Sequence, residues 1–336
     1  MKKIMAMLLM LALLIAGCSS SDTGGKKEAP KAGAKAENRV VRLAIQPSAA
    51  FVPLVIAREK GWIDEAMKEI GVSVKWTDFE SGPPMNESFA AGQQDIGVIG
   101  DVPSVAAVAA GQKNLFIAAA DGGPSYAMLV TDDSGIKNVA DLKGKKIGLT
   151  IGSTAQNLAG KLLNKAGLDI KKDVEIINIS TGDAQTVLLN KNVDAVVIWE
   201  PNVSRLDNMD KIHILTHGGD IGFPGVNVVF ARQEFVKANP DITKAYLKQY
   251  WRATKAYEKN PKEYAELLSK YFKLTPALVA KAASKYDYVL KFDKAEVDGL
   301  QDTVSFLVKN GSIKKEIQVK DYVDDAIARS VISEAK

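Results

Sequence analysis

Apolar and polar positions change rhythm along this chain, and the changes mark out its elements. Behind Lys2 and Lys3, residues 4–16 form an unbroken apolar run of thirteen. Residues 19–38 then hold no large apolar side chain. From Val40 onward short apolar runs alternate with segments of helical spacing. Residues 40–45 predict a β-strand. Residues 51–60 predict a helix, with Pro53 in the first turn, where proline is tolerated, and Gly61 as its end. Residues 72–76 predict a second strand, 86–91 a helix stopped by Gly92, 96–99 a third strand and 115–119 a fourth.

The same order then recurs. Residues 146–149 predict a strand, 155–166 a helix ended by Gly167, 174–179 a strand, 184–189 a helix and 193–199 a strand. QQDIGVIGD (93–101) and NVDAVVIWE (192–200) read as one element twice. The pairs Ile45/Leu149, Val74/Ile176 and Asp95/Asp194 are offset by 104, 102 and 99 residues, a drift that loops accommodate. Alternating strands and helices predict parallel α/β sheets. Two copies predict two lobes, residues 39–122 plus 226–336 and residues 123–225. The period is far too long for a solenoid. The connecting stretches DGGPSY (121–126) and HGGDIGFPGVN (217–227) then form a two-stretch hinge; the other reading, plain loops in one large sheet, leaves the repeat unexplained.

Residues 233–336 are mostly helical by pattern. Asn239-Pro240-Asp241 starts a helix through Lys259, with Asp241 as the expected cap. Asn260-Pro261 interrupts it, and Thr275-Pro276 starts another. Tyr246, Tyr250, Tyr257 and Tyr264 fit aromatic packing of a helix against its lobe better than a stacking platform for a ligand.

Composition narrows the function. A chain of 336 residues, 46% hydrophobic and 25% charged, is globular and long enough for two domains. Lys and Arg number 44 against 40 acidic residues, a net charge of +4 that falls to +2 without Lys2 and Lys3. That bias is too small for a nucleic-acid binder. One cysteine excludes a disulfide framework or CxxC site, and two histidines leave little for a metal centre. We expect no metal and no cofactor.

The apolar run 4–16 is shorter than the roughly 20 residues of a membrane-spanning helix and has the proportions of a secretory leader. Ile15-Ala16-Gly17 stand directly before Cys18, the pattern of a bacterial lipoprotein signal. The expectation is a signal peptide over 1–17, lipid on Cys18, and a flexible linker over 18–38 that tethers an extracytoplasmic body to the bilayer. An ordinary signal peptide with an incidental cysteine is the other reading.

Ligands of open α/β sheets bind beyond the carboxyl ends of the strands. In the first half those positions hold Gln46-Pro47-Ser48, Ser81-Gly82-Pro83-Pro84 and Asp101-Val102-Pro103-Ser104. In the second they hold Gly152-Ser153-Thr154-Ala155, Thr181-Gly182-Asp183 and Trp199-Glu200-Pro201. Small hydroxyl residues and glycines at helix starts suit an anion, and equally suit capping alone. No Arg or Lys occurs in these six loops, whereas Asp101, Asp183 and Glu200 do. The carboxylates either meet an ammonium on a zwitterionic guest or bond to the opposite lobe. Trp199 is a wall for a carbon chain or a core residue.

The segments 81–111, VADLKGKKIGLTIGSTAQ (139–156) and VDAVVIWEP (193–201) together resemble the substrate-binding proteins of ABC importers for nitrate, sulfonates and taurine, nearest to the aliphatic-sulfonate branch. The resemblance covers residues 40–225. It implies a two-lobed, type II periplasmic-binding-protein fold that closes over a small ligand and delivers it to a permease. By resemblance Gln46 and Ser48 face the sulfonate. Gly100 to Pro103, with Asp101 and Val102 between, match a GD-x-P turn. Gly152, Ser153 and Thr154 match a GS turn, and Trp199-Glu200-Pro201 a W-D-P turn with Glu for Asp. Val102, Ser104 and Ile151 depart from the family's usual residues.

The competing reading is a pyrimidine-precursor protein or enzyme of thiamin synthesis on the same fold; such enzymes are intracellular, at odds with a leader. A sensor for a membrane receptor would read alike. His213 and His217 would suit a metal at helical i, i+4 spacing. The apolar neighbours Ile212, Ile214 and Leu215 predict a strand instead, which holds them about 13 Å apart at ~3.3 Å per residue.

Overall fold

The structure is a computed structural model that describes residues 39–123 and 125–335. The leader, Cys18 and the linker lie outside the described residues. Eleven strands occur among those described: β1 (Arg39–Ile45), β2 (Val72–Asp78), β3 (Ile96–Gly100), β4 (Asn114–Gly122), β5 (Tyr126–Thr131), β6 (Lys146–Leu149), β7 (Glu175–Asn178), β8 (Ala195–Trp199), β9 (Ile212–His217), β10 (Asn227–Arg232) and β11 (Asp287–Tyr288). They form two sheets, ordered β11-β4-β10-β3-β1-β2 and β7-β6-β8-β5-β9.

The expected parallel pairing holds for β1 with β2 and β3, and for β6 with β7 and β8. It fails at β5 and β10, which the hydrophobic pattern did not single out. β10 runs antiparallel between β3 and β4, and β5 antiparallel between β8 and β9. The cause is the route of the chain. It leaves β4 at the carboxyl edge of the first sheet and reaches the second at its carboxyl edge, where Tyr126 pairs with Trp199 at the end of β8. It returns likewise, Asn227 pairing with Gly100 at the end of β3. A strand entered from that edge runs against those that end there.

The repeat extends to single hydrogen bonds. Asp95 donates its N–H to the Arg42 carbonyl and takes the Arg42 N–H on its carboxylate, both at 2.8 Å. Asp194 does the same with Lys146, also at 2.8 Å. In the first sheet the carboxylate further binds the guanidinium groups of Arg42 and Arg232, each at 2.7 Å.

Each sheet buries both faces. The first packs helices Val52–Glu59, Trp62–Glu69 and Pro240–Lys259 on one side, and Asp101–Ala109 and Lys294–Lys309 on the other. The second lies between helix Thr154–Lys165 and the short helices Ala184–Leu189 and Asn202–Asp207. Tyr246, Tyr250, Tyr257 and Tyr264 all lie in the first of these cores, so their spacing reports packing; burying a ring of this size is worth about 2 kcal/mol. Asn239 occupies the cap position of helix Pro240–Lys259, and no side chain caps it. Asp241 sits second in the helix, in its first turn, and instead holds Arg39 at 2.8 Å, where it also complements the helix dipole.

Candidate ligand site between the two sheets

The carboxyl edges of the sheets face one another and touch. Ala49 donates its N–H to the Glu200 carbonyl at 3.1 Å, and the Ser48 hydroxyl lies 3.4 Å from the same oxygen. Between the edges lies a cavity of about 20 Å³, room for little beyond one water-sized group. Gln46, Ser48, Phe51, Gly82, Gly100 and Pro103 line it from the first sheet. Tyr126, Ser153, Thr154 and Trp199 line it from the second, and Asn227 from the returning strand. The first sheet's helices Gly82–Ala90 and Asp101–Ala109 and the second's Thr154–Lys165 all begin at this wall, as does the short turn capped by Ser48. Pro83, Pro84 and Pro103 carry no N–H, and the N–H groups of Ala49, Ala50 and Val102 are taken by Glu200, Ser48 and Asp101, so these starts favour negative charge chiefly through their dipoles, at a place no charged side chain lines.

Glycine is required where the walls meet. A Cβ on Gly82 would lie 2.4 Å from Pro103 Cγ, and one on Gly100 would lie 2.5 Å from Thr154 Oγ1. Gly152 has φ of +78° and faces Pro83 across the seam.

The two buried carboxylates answer the question the sequence left open. Glu200 is 0% exposed and is bound by the Ser204 N–H (3.0 Å), the Ser204 hydroxyl (2.9 Å) and Lys285 Nζ (2.5 Å). Lys285 belongs to the segment before β11, on the first sheet's side. Asp101, 1% exposed, accepts from the Val102 N–H (2.7 Å) and Thr303 hydroxyl (2.6 Å), and from the hydroxyl of Thr154 across the seam. Both therefore bond to the opposite side, and neither lines the cavity for an ammonium. A third buried acid, Asp121, takes the Asn227 side chain at 2.8 Å, and burial pushes its carboxyl up to about 8.

Of the residues singled out from sequence, the structure brings Gln46, Ser48, Gly82, Ser153, Thr154 and Trp199 to the cavity wall. Gln46 spends its amide on the Val98 carbonyl (3.3 Å) and Ser153 its hydroxyl on that of Thr150 (2.6 Å). Ser81 is buried at the start of its helix, and Val102 packs into the core beneath. The Gly152 N–H is taken by Gln156 at 2.8 Å. Asp183 is exposed and held by Ser180 at 3.0 Å, away from the wall. Sequence reasoning missed Phe51, Tyr126 and Asn227. Tyr126 and Asn227 each follow a crossing between sheets, at the junctions where the Gly/Pro-rich connections end. Tyr126 packs edge-on to Phe223 (5.8 Å) and leans on Trp199 (6.3 Å).

Elsewhere a shallow groove of about 540 Å³ runs between helices Thr154–Lys165 and Lys294–Lys309, on an outer surface away from the strand ends. His213 and His217 lie on β9, and His213 pairs with Asp132 at 2.6 Å. No cluster of metal-ligand residues occurs among the described residues.

The NMT1/THI5-like family model matches residues 48–264. A Bacillus subtilis (strain 168) protein named "Putative aliphatic sulfonates-binding protein" is 32% identical, covering 99% of this chain and 98% of its own. A protein of the same name from Escherichia coli (strain K12) is 27% identical over 86% and 90%. Among solved structures, the alkanesulfonate-binding protein SsuA of Xanthomonas axonopodis pv. citri bound to MOPS superposes with a TM-score of 0.77 at 24% identity, covering 86% of this chain and 99% of that one. The chain, with its paired sheets meeting at their carboxyl edges, belongs to the NMT1/THI5-like family.

Proposed function

We propose that this protein is the extracytoplasmic substrate-binding component of an ABC importer, and that its guest is an aliphatic sulfonate whose tail bears no ammonium. The observation that carries this reading is the convergence of helix N-termini on a cavity lined by no charged side chain, with both neighbouring carboxylates engaged by the protein itself. Once the lobes part enough to enlarge the cavity of about 20 Å³, a sulfonate would sit at the helix starts and its chain would meet Phe51, Tyr126 and Trp199. Taurine would bring an ammonium that finds no free carboxylate. Lobes 39–122 plus 226–336 and 123–225 would swing about the two connections, the ligand favouring the closed state by binding it better. No step of catalysis is invoked. Among the described residues none lining the cavity is Lys, His or Cys, so the wall offers no amine, imidazole or thiol for covalent chemistry.

Thermal shift of the full chain with ethanesulfonate, taurine, nitrate and pyrimidine precursors tests this. A guest at 100 times its dissociation constant adds about 2.7 kcal/mol. Stabilisation by ethanesulfonate well beyond that by taurine is expected; the reverse order would refute the reading. For the anchor, we propose cleavage before Cys18 and lipid on its thiol. Cys18→Ser should then move the protein from the membrane fraction to the soluble one, and an unchanged distribution would refute it.

A further inference from the structure

The wall of the cavity hides a proton problem. Thr154 has one hydroxyl proton and gives it to Asp101. With Asp101 ionised, the hydroxyl has only lone pairs left for the cavity and for the Tyr126 phenol beside it, and no proton to offer an anion. The carboxylate just behind would add a second negative charge at a dry site, and no cationic side chain lines the wall to offset it. Two like charges held so close in low dielectric do not both stay ionised.

We propose that an anionic guest binds together with one proton, held on Asp101, whose protonation turns the Thr154 hydroxyl from the carboxylate to the guest. This rests on the reading of the cavity as an anion site. The hydrogen bonds balance. A proton from solvent sits on Asp101 Oδ1 and is donated to Thr154 Oγ1; the Thr154 proton rotates to the guest; Val102 N–H and Thr303 keep their bonds to the carboxyl. Gly100, without a side chain, leaves the space into which the Thr154 hydroxyl points.

The groups that face Asp101 are few. Lys161, on the same helix as Thr154, attracts its charge but is paired with Asp302. Thr303 and Asn157 are neutral. Tyr126 on β5 is pushed up by burial and remains a phenol. Asp121 on β4 is a further acid nearby. Burial likewise pushes the Asp101 carboxyl up, against its hydrogen bonds and Lys161.

Titration calorimetry of the full chain with ethanesulfonate, from pH 5 to 10 and in buffers of differing ionisation enthalpy, tests the proposal. A sulfonate does not titrate in this range, so any pH dependence belongs to the protein. Affinity should be flat below the free-state pKa of Asp101 and fall about tenfold per pH unit above it, with uptake of about one proton on binding. Asp101→Asn should abolish both slope and uptake, and Asp121→Asn should keep them. If Asp101→Asn does not fold, Thr154→Val, which keeps the acid and removes the hydroxyl, should bind the sulfonate several-fold more weakly below the free-state pKa of Asp101, where the hydroxyl would otherwise donate to the guest; unchanged affinity there overturns the proposal. Binding with no proton uptake at any pH overturns the proposal and leaves the anion site standing. A slope that survives Asp101→Asn overturns it, as does a folded Asp101→Asn protein that no longer binds. No binding of ethanesulfonate by the unaltered protein overturns both this and the reading beneath it.

Discussion

Lys285 and Glu200 meet across the seam at 2.5 Å, the ammonium side chain 21% exposed and the carboxylate fully buried. The Lys285 backbone also fixes a connection between the sheets, since a Cβ on Gly123 would lie 2.3 Å from its carbonyl oxygen. One residue thus touches the crossing with its main chain and the far sheet with its side chain.

Removing one partner of such a pair strands the other. Lys285→Met should lower stability by about 3 kcal/mol, because the buried carboxylate keeps only Ser204. Lys285→Met with Glu200→Gln should recover most of that loss, since no charge remains to be solvated. Urea unfolding of the two single variants and the double one measures this; equal losses for Lys285→Met and the double variant would count against it.

Asp95 should make stability acid-sensitive. Burial raises its carboxyl, but the hydrogen bonds of Arg42 and Arg232 outweigh burial and hold it below its usual value. Its contribution is present above the unfolded pKa near ~3.9 and is lost as pH falls through the lower folded value. Asp95→Asn should cost about 2 kcal/mol at pH 7. The gap to the unaltered protein should close in strong acid, as followed by denaturant unfolding at several pH values.

Asp121 carries the opposite sign. Its folded pKa of about 8 lies above the unfolded one, so the folded state holds the extra proton and stability falls as pH rises from ~4 toward 8. Asp121→Asn should flatten that fall by about 1.4 kcal/mol per pH unit. Parallel pH slopes for variant and parent would contradict it.

Gly160 is where the second sheet's helix lies against the first sheet's. A Cβ there would lie 2.5 Å from Phe306 Cε2. Gly160→Ala should overpack the seam and cost about 1–3 kcal/mol, relieved by Phe306→Leu in the same chain. Thermal unfolding and the radius of gyration in solution report the two consequences, lost stability and a loosened seam.

Much of this was legible locally. The strands of the two βαβ units, the helices that follow them and the Asp95/Asp194 repeat were visible as period changes and matched segments. What escaped came from contacts distant in sequence. β5 and β10 are short runs with apolar centres, which periodicity alone does not assign, and their direction depends on the route between sheets. Gly61, in the left-handed conformation, does end helix Val52–Glu59, but a second helix, Trp62–Glu69, that the pattern does not single out begins directly after it. The strand-end rule found six wall residues because those loops follow predicted strands. Tyr126 and Asn227 begin strands that were not predicted. The fate of Glu200 depended on a lysine 85 positions away, and no local pattern announces such a partner.

The interleaved route has a consequence for biosynthesis. The second sheet is drawn from one continuous stretch, β5 to β9, and can be complete as soon as that stretch has been made. In the first, the partners of β4 among the described residues are β10, β11 and a bridge from Phe116 to Val323, all later in the chain, so it waits unpaired until residues 227–232 have emerged from the ribosome. The half begun first is the half finished last.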